Sequence, residues 1–405
     1  MHGVAEANNV VAGVRRIRLT NFRCYASAAL NLDSSVPVVL FGPNGAGKTN
    51  LLEAVSYLTP GKGLRNARLS EVARRTSVPF ADLGKNSPEN IIPMPVSWAV
   101  AASVTSSLTG GEFDIGTGCE ASVSSDSSPR RKLRLNGQDK SSLSELSEIL
   151  SAVWITPAMD RIFAGESALR RRFFDRLVQS FTPSHAGELA AYANSYRQWG
   201  KLLREGCSDK HWLSALEESM ASHGVAIAAA RNDALQRIDG FLHEKKADFP
   251  RAYIRLSGFL EDLLQSKPAL AVEDIFKERL ASSRNLYADG GSVVGSHQTD
   301  LLACHENGQS AELCSTGQQK ALLISLVLAH IEAIKAESLA YPIILFDEAA
   351  AHLDGLKRDA LLDILLSLPT QSWLTGTEES SFALLDGKAQ FFNINDSLIS
   401  AKEVA

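Results

Sequence analysis

Apolar and polar positions change their period several times along the chain, and each change marks an element. Residues 15–23, RRIRLTNFR, alternate as a half-buried strand does, and VPVVLF at 36–41 is an unbroken apolar run of buried-strand length. Leu51, Leu52, Val55 and Leu58 then fall at helical spacing in NLLEAVSYL. From Pro79 to about Arg134 the periodicity fades into Ser, Gly and Thr with short strand-like pieces such as WAVAASV, which predicts a peripheral sheet joined by loops. Leu189, Tyr192, Tyr196, Trp199 and Leu203 share one helical face over 185–205. Residues 211–249 and 268–287 are further helical stretches, the last with its acids early and its bases late. The middle, about 165–290, is therefore expected to be mainly helical.

Beyond it the pattern runs helix (STGQQKALLISLVLAHIEAI), buried strand with an acidic end (IILFDEAAAHLD, 343–354), helix (LKRDALLDILLSL) and strand (SWLTGTEE). Such alternation predicts a mostly parallel α/β sheet. A glycine loop near residue 45 and the acidic strand near 347 lie toward opposite chain ends, so one sheet is expected to be assembled from both. The expected division is an α/β body of residues 1–160, with an antiparallel peripheral sheet, and 291–405, interrupted by a helical insert at 161–290. There is no internal repeat and no long heptad run.

Composition narrows the classes. A chain of 405 residues, 45% hydrophobic and 21% charged, has ordinary globular make-up and room for two or three domains. No apolar run approaches the length of a membrane span. The first residues, MHGVAEANNVVAG, lack a basic head before an apolar stretch, so no export signal is expected. Five cysteines, odd in number and without a CxxC pair, fit a reducing cytoplasm and argue against a disulfide framework or a zinc knuckle. A net charge of −5 gives no global attraction to nucleic acid, so any DNA-binding surface must be a local patch.

Three stretches carry candidate chemistry. Gly42-Pro43-Asn44-Gly45-Ala46-Gly47-Lys48-Thr49 satisfies G-x-x-x-x-G-K-[ST], with a strand before it and a helix after it. Glycines let successive N–H groups converge on phosphate oxygens, Lys48 would reach the β- and γ-phosphates, and the Thr49 hydroxyl would bind Mg²⁺. Chance matches are expected on the order of once per hundred chains of this length. Asp347 and Glu348 end an apolar strand; alone this is common, but beside a phosphate loop Asp347 suits the Mg²⁺ shell and Glu348 the attacking water. Cys314-Ser315-Thr316-Gly317-Gln318-Gln319-Lys320 precedes an apolar helix, and spacing alone fits a simple N-cap as well as an anion site.

Taken in order, the phosphate loop, S-x-G-Q signature, Asp-Glu strand and following H-L-D resemble the ATP-binding-cassette ATPases. The helical insert between loop and signature is similar to the SMC-like branch. Within it the blocks L-T-N-F-R-C-Y, FGPNGAGKTNLLEAVSYL, WITPAMDRIFAGESALRRRFFDRL and STGQQKALLI look like the RecF family of bacterial recombination mediators. The resemblance spans most of the chain outside the Ser-rich stretch around 80–130.

The resemblance implies an ATPase head that binds ATP and Mg²⁺ and pairs with a second copy so that two ATPs lie between two heads. Asn50 would join residues 42–49 at the nucleotide and Arg23 would approach its phosphates. Ser315, Gly317 and Gln318 would act in trans, and Asp354 would sit in the loop linking the two sites. The implied role is DNA replication and recombinational repair in the cytoplasm and the SOS response: an ATP-held dimer clamps DNA near a single-strand gap and, with RecO- and RecR-type partners, loads the RecA recombinase.

The chain departs from the wider pattern in several places. Asp160 lies where the branch places its lobe-coupling loop, but no glutamine stands there; Leu374-Thr375-Gly376-Thr377 ends the strand where the switch histidine is missing, and GSHQTDL around His297 differs from the usual G-P-H-R. Thr375 or Thr377 would then be left to touch the γ-phosphate, and hydrolysis is expected to be slow. The candidate DNA contacts are the clusters Arg170-Arg171-Arg172 and Arg130-Arg131-Lys132, with Arg15, Arg16 and Arg18 a third; each also reads as a solvated face. Phosphate contacts of this sort would be salt-sensitive and indifferent to sequence.

Two other classes remain: an energising subunit of a transporter, which the missing histidine, missing glutamine and long insert disfavour, and a nucleotide-gated scaffold that uses the same residues without turnover. A GTPase is disfavoured by the absence of N-K-x-D.

Overall fold

A computed structural model of the protein describes residues 11–74, 97–120, 130–207, 209–243, 249–348, 350–351 and 353–402. The first ten residues, residues 79–96 and 121–129 of the Ser-rich stretch, 244–248 of the second helical stretch and residue 352 of the H-L-D lie outside the described residues. The chain forms two compact units, Met1–Pro157 with Lys335–Ala405, and Ala158–Ile334.

The first unit holds two six-stranded sheets. One is antiparallel: β1 (Gly13–Phe22), β2 (Tyr25–Asn31), β4 (Trp98–Thr105), β5 (Glu112–Cys119), β6 (Lys132–Leu135) and β7 (Gln138–Lys140), in the order β2-β1-β4-β5-β6-β7. Val14, Ile17 and Leu19 of β1 point inward, and a register shift between Val14 and Arg16 leaves Arg15 and Arg16 both exposed.

The other sheet has the order β14-β13-β3-β12-β11-β8, from β3 (Val38–Phe41), β8 (Ala152–Ile155), β11 (Ile343–Phe346), β12 (Ser372–Gly376), β13 (Gln390–Asn395) and β14 (Leu398–Ala401). Every neighbouring pair is parallel except β13 with β14. The mixed assembly from both chain ends agrees with the alternation in the sequence. β11 reads IILF without a polar residue, and all four side chains are buried, as expected for a central parallel strand. Phe41 pairs with Gly376 and Phe346 with Leu374, so β3, β12 and β11 end along the same carboxyl edge, where α/β sheets bind ligands. Helices α1 (Lys48–Ser56), α2 (Leu69–Val72) and α10 (Gly355–Ser367) belong to this unit.

The second unit is mainly helical: α3 (Ser167–Gln179), α4 (His185–Arg204), α5 (Lys210–Leu242), α6 (Phe259–Leu264), α7 (Ala269–Ser282), α8 (Arg284–Ala288) and all but the last turn of α9 (Thr316–Ser338). An antiparallel pair, β9 (Ala252–Ser257) and β10 (Asp300–His305), completes it. Trp199, Leu213, Met220, Val225, Phe276 and Leu280 form part of its core, the Trp199 face being the one the helical spacing singled out.

A polar network runs through the same unit. Arg231 donates from Nε and Nη2 to the two Asp175 oxygens at 2.8 and 3.0 Å, and from Nη1 to Glu261 Oε1 at 3.0 Å, Ser296 O at 2.9 Å and Thr299 Oγ1 at 2.9 Å. His185 adds a 3.0 Å contact to Asp175. Among the described residues no helix is long and apolar enough to cross a membrane.

Candidate functional site

The chain leaves β3 at Phe41 and turns through residues 42–47 into α1, which begins with Lys48 and Thr49. Gly42 and Gly47 hold φ of 141° and 119°, conformations that a Cβ disfavours. Space is equally restrictive: a Cβ at Gly42 would collide with the Ile394 carbonyl oxygen, and one at Gly47 would stand 2.6 Å from the Tyr25 hydroxyl. α1 has no side-chain N-cap, so its first N–H groups are available to an anion.

The loop is braced from a distant segment that its own motif does not reveal. In the β13–β14 turn, Asp396 and Ser397 have φ of 46° and 64°, and the Ser397 N–H donates to the Ala46 carbonyl at 3.0 Å. Tyr25 Oη donates to Gly47 O at 3.2 Å. Lys48 folds back into the loop, its Nζ donating to Gly42 O at 2.7 Å and Pro43 O at 2.9 Å. Burial pushes the Lys48 pKa down, against the pull of the Glu348 and Asp347 charges.

Asp347 follows β11 and is 3% exposed. Thr49 Oγ1 lies 2.9 Å from each of its carboxylate oxygens, and Thr375 Oγ1 donates to Oδ1 at 2.8 Å. No cationic side chain bonds to it among the described residues. Burial pushes its pKa up; the Thr375 and Thr49 bonds pull it down, the Glu348 charge pushes it up again and the Arg65 charge pulls it down a little. The result is a buried, under-neutralised carboxylate ringed by hydroxyl oxygens, a donor set suited to a hard divalent cation. Among the described residues no group of three or more His, Cys, Asp or Glu side chains could hold a metal. A cation here would thus depend on Thr49, Asp347 and phosphate oxygens, the usual pattern for Mg²⁺. The next residue, Glu348, has φ 51°, and its N–H donates to Thr375 Oγ1 at 2.8 Å.

Beside the loop, Arg23 (φ 54°) grips Glu53 of α1 through Nε at 2.8 Å and Nη2 at 2.5 Å, and Glu71 O through Nη1 at 2.6 Å. Arg65 donates to the same carboxylate at 3.1 Å and to Asn50 Oδ1 at 2.7 Å. Asn50 in turn donates to Cys24 Sγ at 3.0 Å. Two guanidiniums therefore share the buried Glu53, and Arg65, which sequence reasoning did not single out, joins Arg23 and Asn50 there.

In the second unit Ser315 and Gln318 form a reciprocal cap on α9: Ser315 N donates to Gln318 Oε1 at 2.9 Å and Gln318 N to Ser315 Oγ at 3.4 Å. Both side chains are exposed and Gly317 is half-buried. Lys320 Nζ reaches Asp160 Oδ2 at 3.2 Å. In the first unit Asp354 is exposed and caps α10, accepting from Lys357 N at 2.9 Å; bonds from Lys357 hold its carboxyl below the usual range.

A family description for the RecF/RecN/SMC N-terminal domain matches residues 13–385. DNA replication and repair protein RecF of Allorhizobium ampelinum is 41% identical over 393 residues, 96% of this chain and 98% of that protein, and that of Rhizobium johnstonii is 42% identical over 392 residues, 95% and 97%. The chain belongs to the RecF family. A solved structure of the recombination mediator RecF superposes with TM-score 0.80 at 21% identity, covering 98% of this chain and 99% of that one. An Smc head from Pyrococcus furiosus reaches 0.51 at 16%, covering 96% of each chain. The fold is that of an ABC/SMC-type ATPase head.

The RecF-family frame contains every candidate discussed above, but the basic clusters have diverse surroundings. Arg170 forms a bidentate pair with Asp300 at 2.7 Å, and Arg171 donates to Thr299 O at 2.8 Å, while Arg172 is exposed. Arg131 turns inward, donating to Gly61 O at 2.8 Å, to Thr117 Oγ1 at 2.7 Å and to Tyr57 O, with its guanidinium over the Tyr57 ring. Burial pushes its pKa down to about 10. Arg130 is exposed, and Lys132 pairs on the surface with Glu120 at 2.6 Å. His297 accepts or donates at 2.9 Å with the Tyr192 hydroxyl and packs 4.4 Å from the Tyr196 ring. Burial, then the nearby Arg171 charge, pulls its pKa down to about 4.

Proposed function

We propose that this RecF-family chain is an ATP-dependent DNA-binding protein of DNA replication and repair. The observation that carries the reading is the convergence of Thr49, Asp347 and Thr375 beside a glycine loop that opens onto an uncapped helix end. Relatives at about 41% identity bear the name DNA replication and repair protein, and solved RecF structures include a RecF–ATP complex.

In this reading the loop N–H groups cradle the triphosphate, and Lys48 exchanges the Gly42 and Pro43 carbonyls for β- and γ-phosphate oxygens. Mg²⁺ held through Thr49 and Asp347 would supply charge neutralisation between those phosphates. Glu348 orients the attacking water, and turnover is slow because no histidine follows β12. Two copies meet head to head: Ser315, Gly317 and Gln318 of one copy address the nucleotide of the other, Asp354 lies at the seam, and Arg23 and Asn50 complete the pocket.

The ATP-held dimer closes on DNA near single-strand gaps in the cytoplasm, hydrolysis releases it, and RecO- and RecR-type partners connect it to recombinase loading and the SOS response. Arg172, Arg130 and Lys132 have the exposed side chains suited to phosphate contacts; Arg170, Arg171 and Arg131 would support them from within. Such contacts would weaken steeply with salt.

The test is Glu348→Gln with ATP and gapped duplex, read by sedimentation. A stable ATP-dependent dimer on DNA is expected. A variant that binds ATP yet stays monomeric on DNA removes the clamp.

A further inference from the structure

Thr375 lies in β12, 1% exposed, next to the end of β11. Its one hydroxyl serves both acidic residues: the Glu348 N–H donates to Oγ1 at 2.8 Å, and Oγ1 lies 2.8 Å from Asp347 Oδ1. An ionised carboxylate only accepts and an amide only donates, so the arrangement has a single sense: the Thr375 proton points at Asp347 and a lone pair faces Glu348. The hydroxyl proton is thereby committed to a carboxylate. The sequence offered Thr375 as a substitute for a missing histidine at the γ-phosphate; the geometry gives it another task.

We propose that Thr375 is a positioning residue for ATP hydrolysis, fixing the Glu348 backbone and the Asp347 carboxylate relative to one another; this rests on the ATPase reading given above. Glu348 occupies the left-handed region at φ 51°, which a residue with a Cβ holds only when its surroundings impose it. The bond to its N–H is one such constraint, set on the backbone of the same residue whose side chain is meant to orient water. On the other side, Thr375 and Thr49 bind Oδ1 from two elements, which leaves the carboxylate little freedom to rotate. A buried threonine in a strand is otherwise replaceable by the isosteric valine, which keeps shape and strand preference and removes both bonds.

The test compares Thr375→Val and Thr375→Ser with the unaltered full chain in two measurements. Without nucleotide, amide exchange at Glu348 should quicken in the valine variant and stay near the original rate in the serine variant. With ATP and DNA, the valine variant should hydrolyse ATP roughly 10- to 100-fold more slowly per bound nucleotide, the bound fraction being read in parallel with a fluorescent ATP analogue, with serine restoring most of the rate. Unchanged exchange at Glu348, or faster exchange with full turnover, overturns the proposal. If the unaltered chain binds no ATP, the nucleotide reading itself has failed; that result is distinct because the exchange measurement needs no ATP.

Discussion

Two buried aspartates, one in each unit, are satisfied in opposite ways. Asp175 is 7% exposed and Asp347 3%. Asp175 meets a guanidinium and an imidazole; against the cost of burial, His185 and Arg231 hold its carboxyl below the usual range. Asp347 meets two neutral hydroxyls, and burial drives its carboxyl above that range. The first group is neutralised by its own fold and has nothing left to offer. The second is hydrogen-bonded but, among the described residues, has no cation bonded to it; Lys48 and Arg65 act on it only through their charge, which leaves room for an outside cation. Burial alone does not separate the two carboxylates; the charge of their bonded partners does.

The largest effect should come from breaking the neutralised site. Arg231→Met would strand Asp175 and Glu261 in the second unit and is expected to cost about 3–5 kcal/mol in urea unfolding. Replacing the ionic partners together with apolar residues should recover most of that loss.

Acid should act on two buried groups, one in each unit, in opposite senses. His330 in the second unit is buried, donates from Nε2 to Leu177 O at 3.2 Å and has its pKa pulled down to about 3 by burial. Its folded pKa lies below the unfolded value of about 6.5, so its contribution is intact above that pH and lost as pH falls toward 3. Between pH 7 and 4.5 the loss should be about 2–3 kcal/mol, and His330→Phe should flatten that part of the profile. Asp347 behaves inversely: its raised pKa makes the charged form the unfavourable one, so lowering pH through that pKa removes the cost of burying its charge.

The smallest stability effect belongs to Asp347→Asn, expected within about 1 kcal/mol of the original chain or slightly above it. The same change should abolish Mg²⁺-dependent tightening of nucleotide binding, measured by titration. A large destabilisation would instead put Asp347 in the same class as Asp175.

Local features of this architecture were legible in the sequence. The glycine loop, the acidic end of IILFDE and the helical face around Trp199 each declare themselves within about twenty residues. Features that depend on distant partners did not. The clusters at 130–132 and 170–172 record charge without its destination, and Arg170 finds Asp300 at a separation of 130 residues. Likewise Arg131 reads as surface charge, yet it turns onto the carbonyls that follow α1, where a cation is favourable to a helix end. The bulge that exposes both Arg15 and Arg16 leaves no mark on alternation read from composition alone.

The brace on Ala46 and the bond from Thr49 to Asp347, a partner 298 positions further on, also set a timetable for biosynthesis. At about 5–20 residues per second, a ribosome needs on the order of 15–60 s after making Thr49 to reach Asp347. Throughout that interval the glycine loop exists on a nascent chain without the carboxylate and turn that complete it. The candidate site is therefore completed only late in synthesis, when both distant segments have joined the loop.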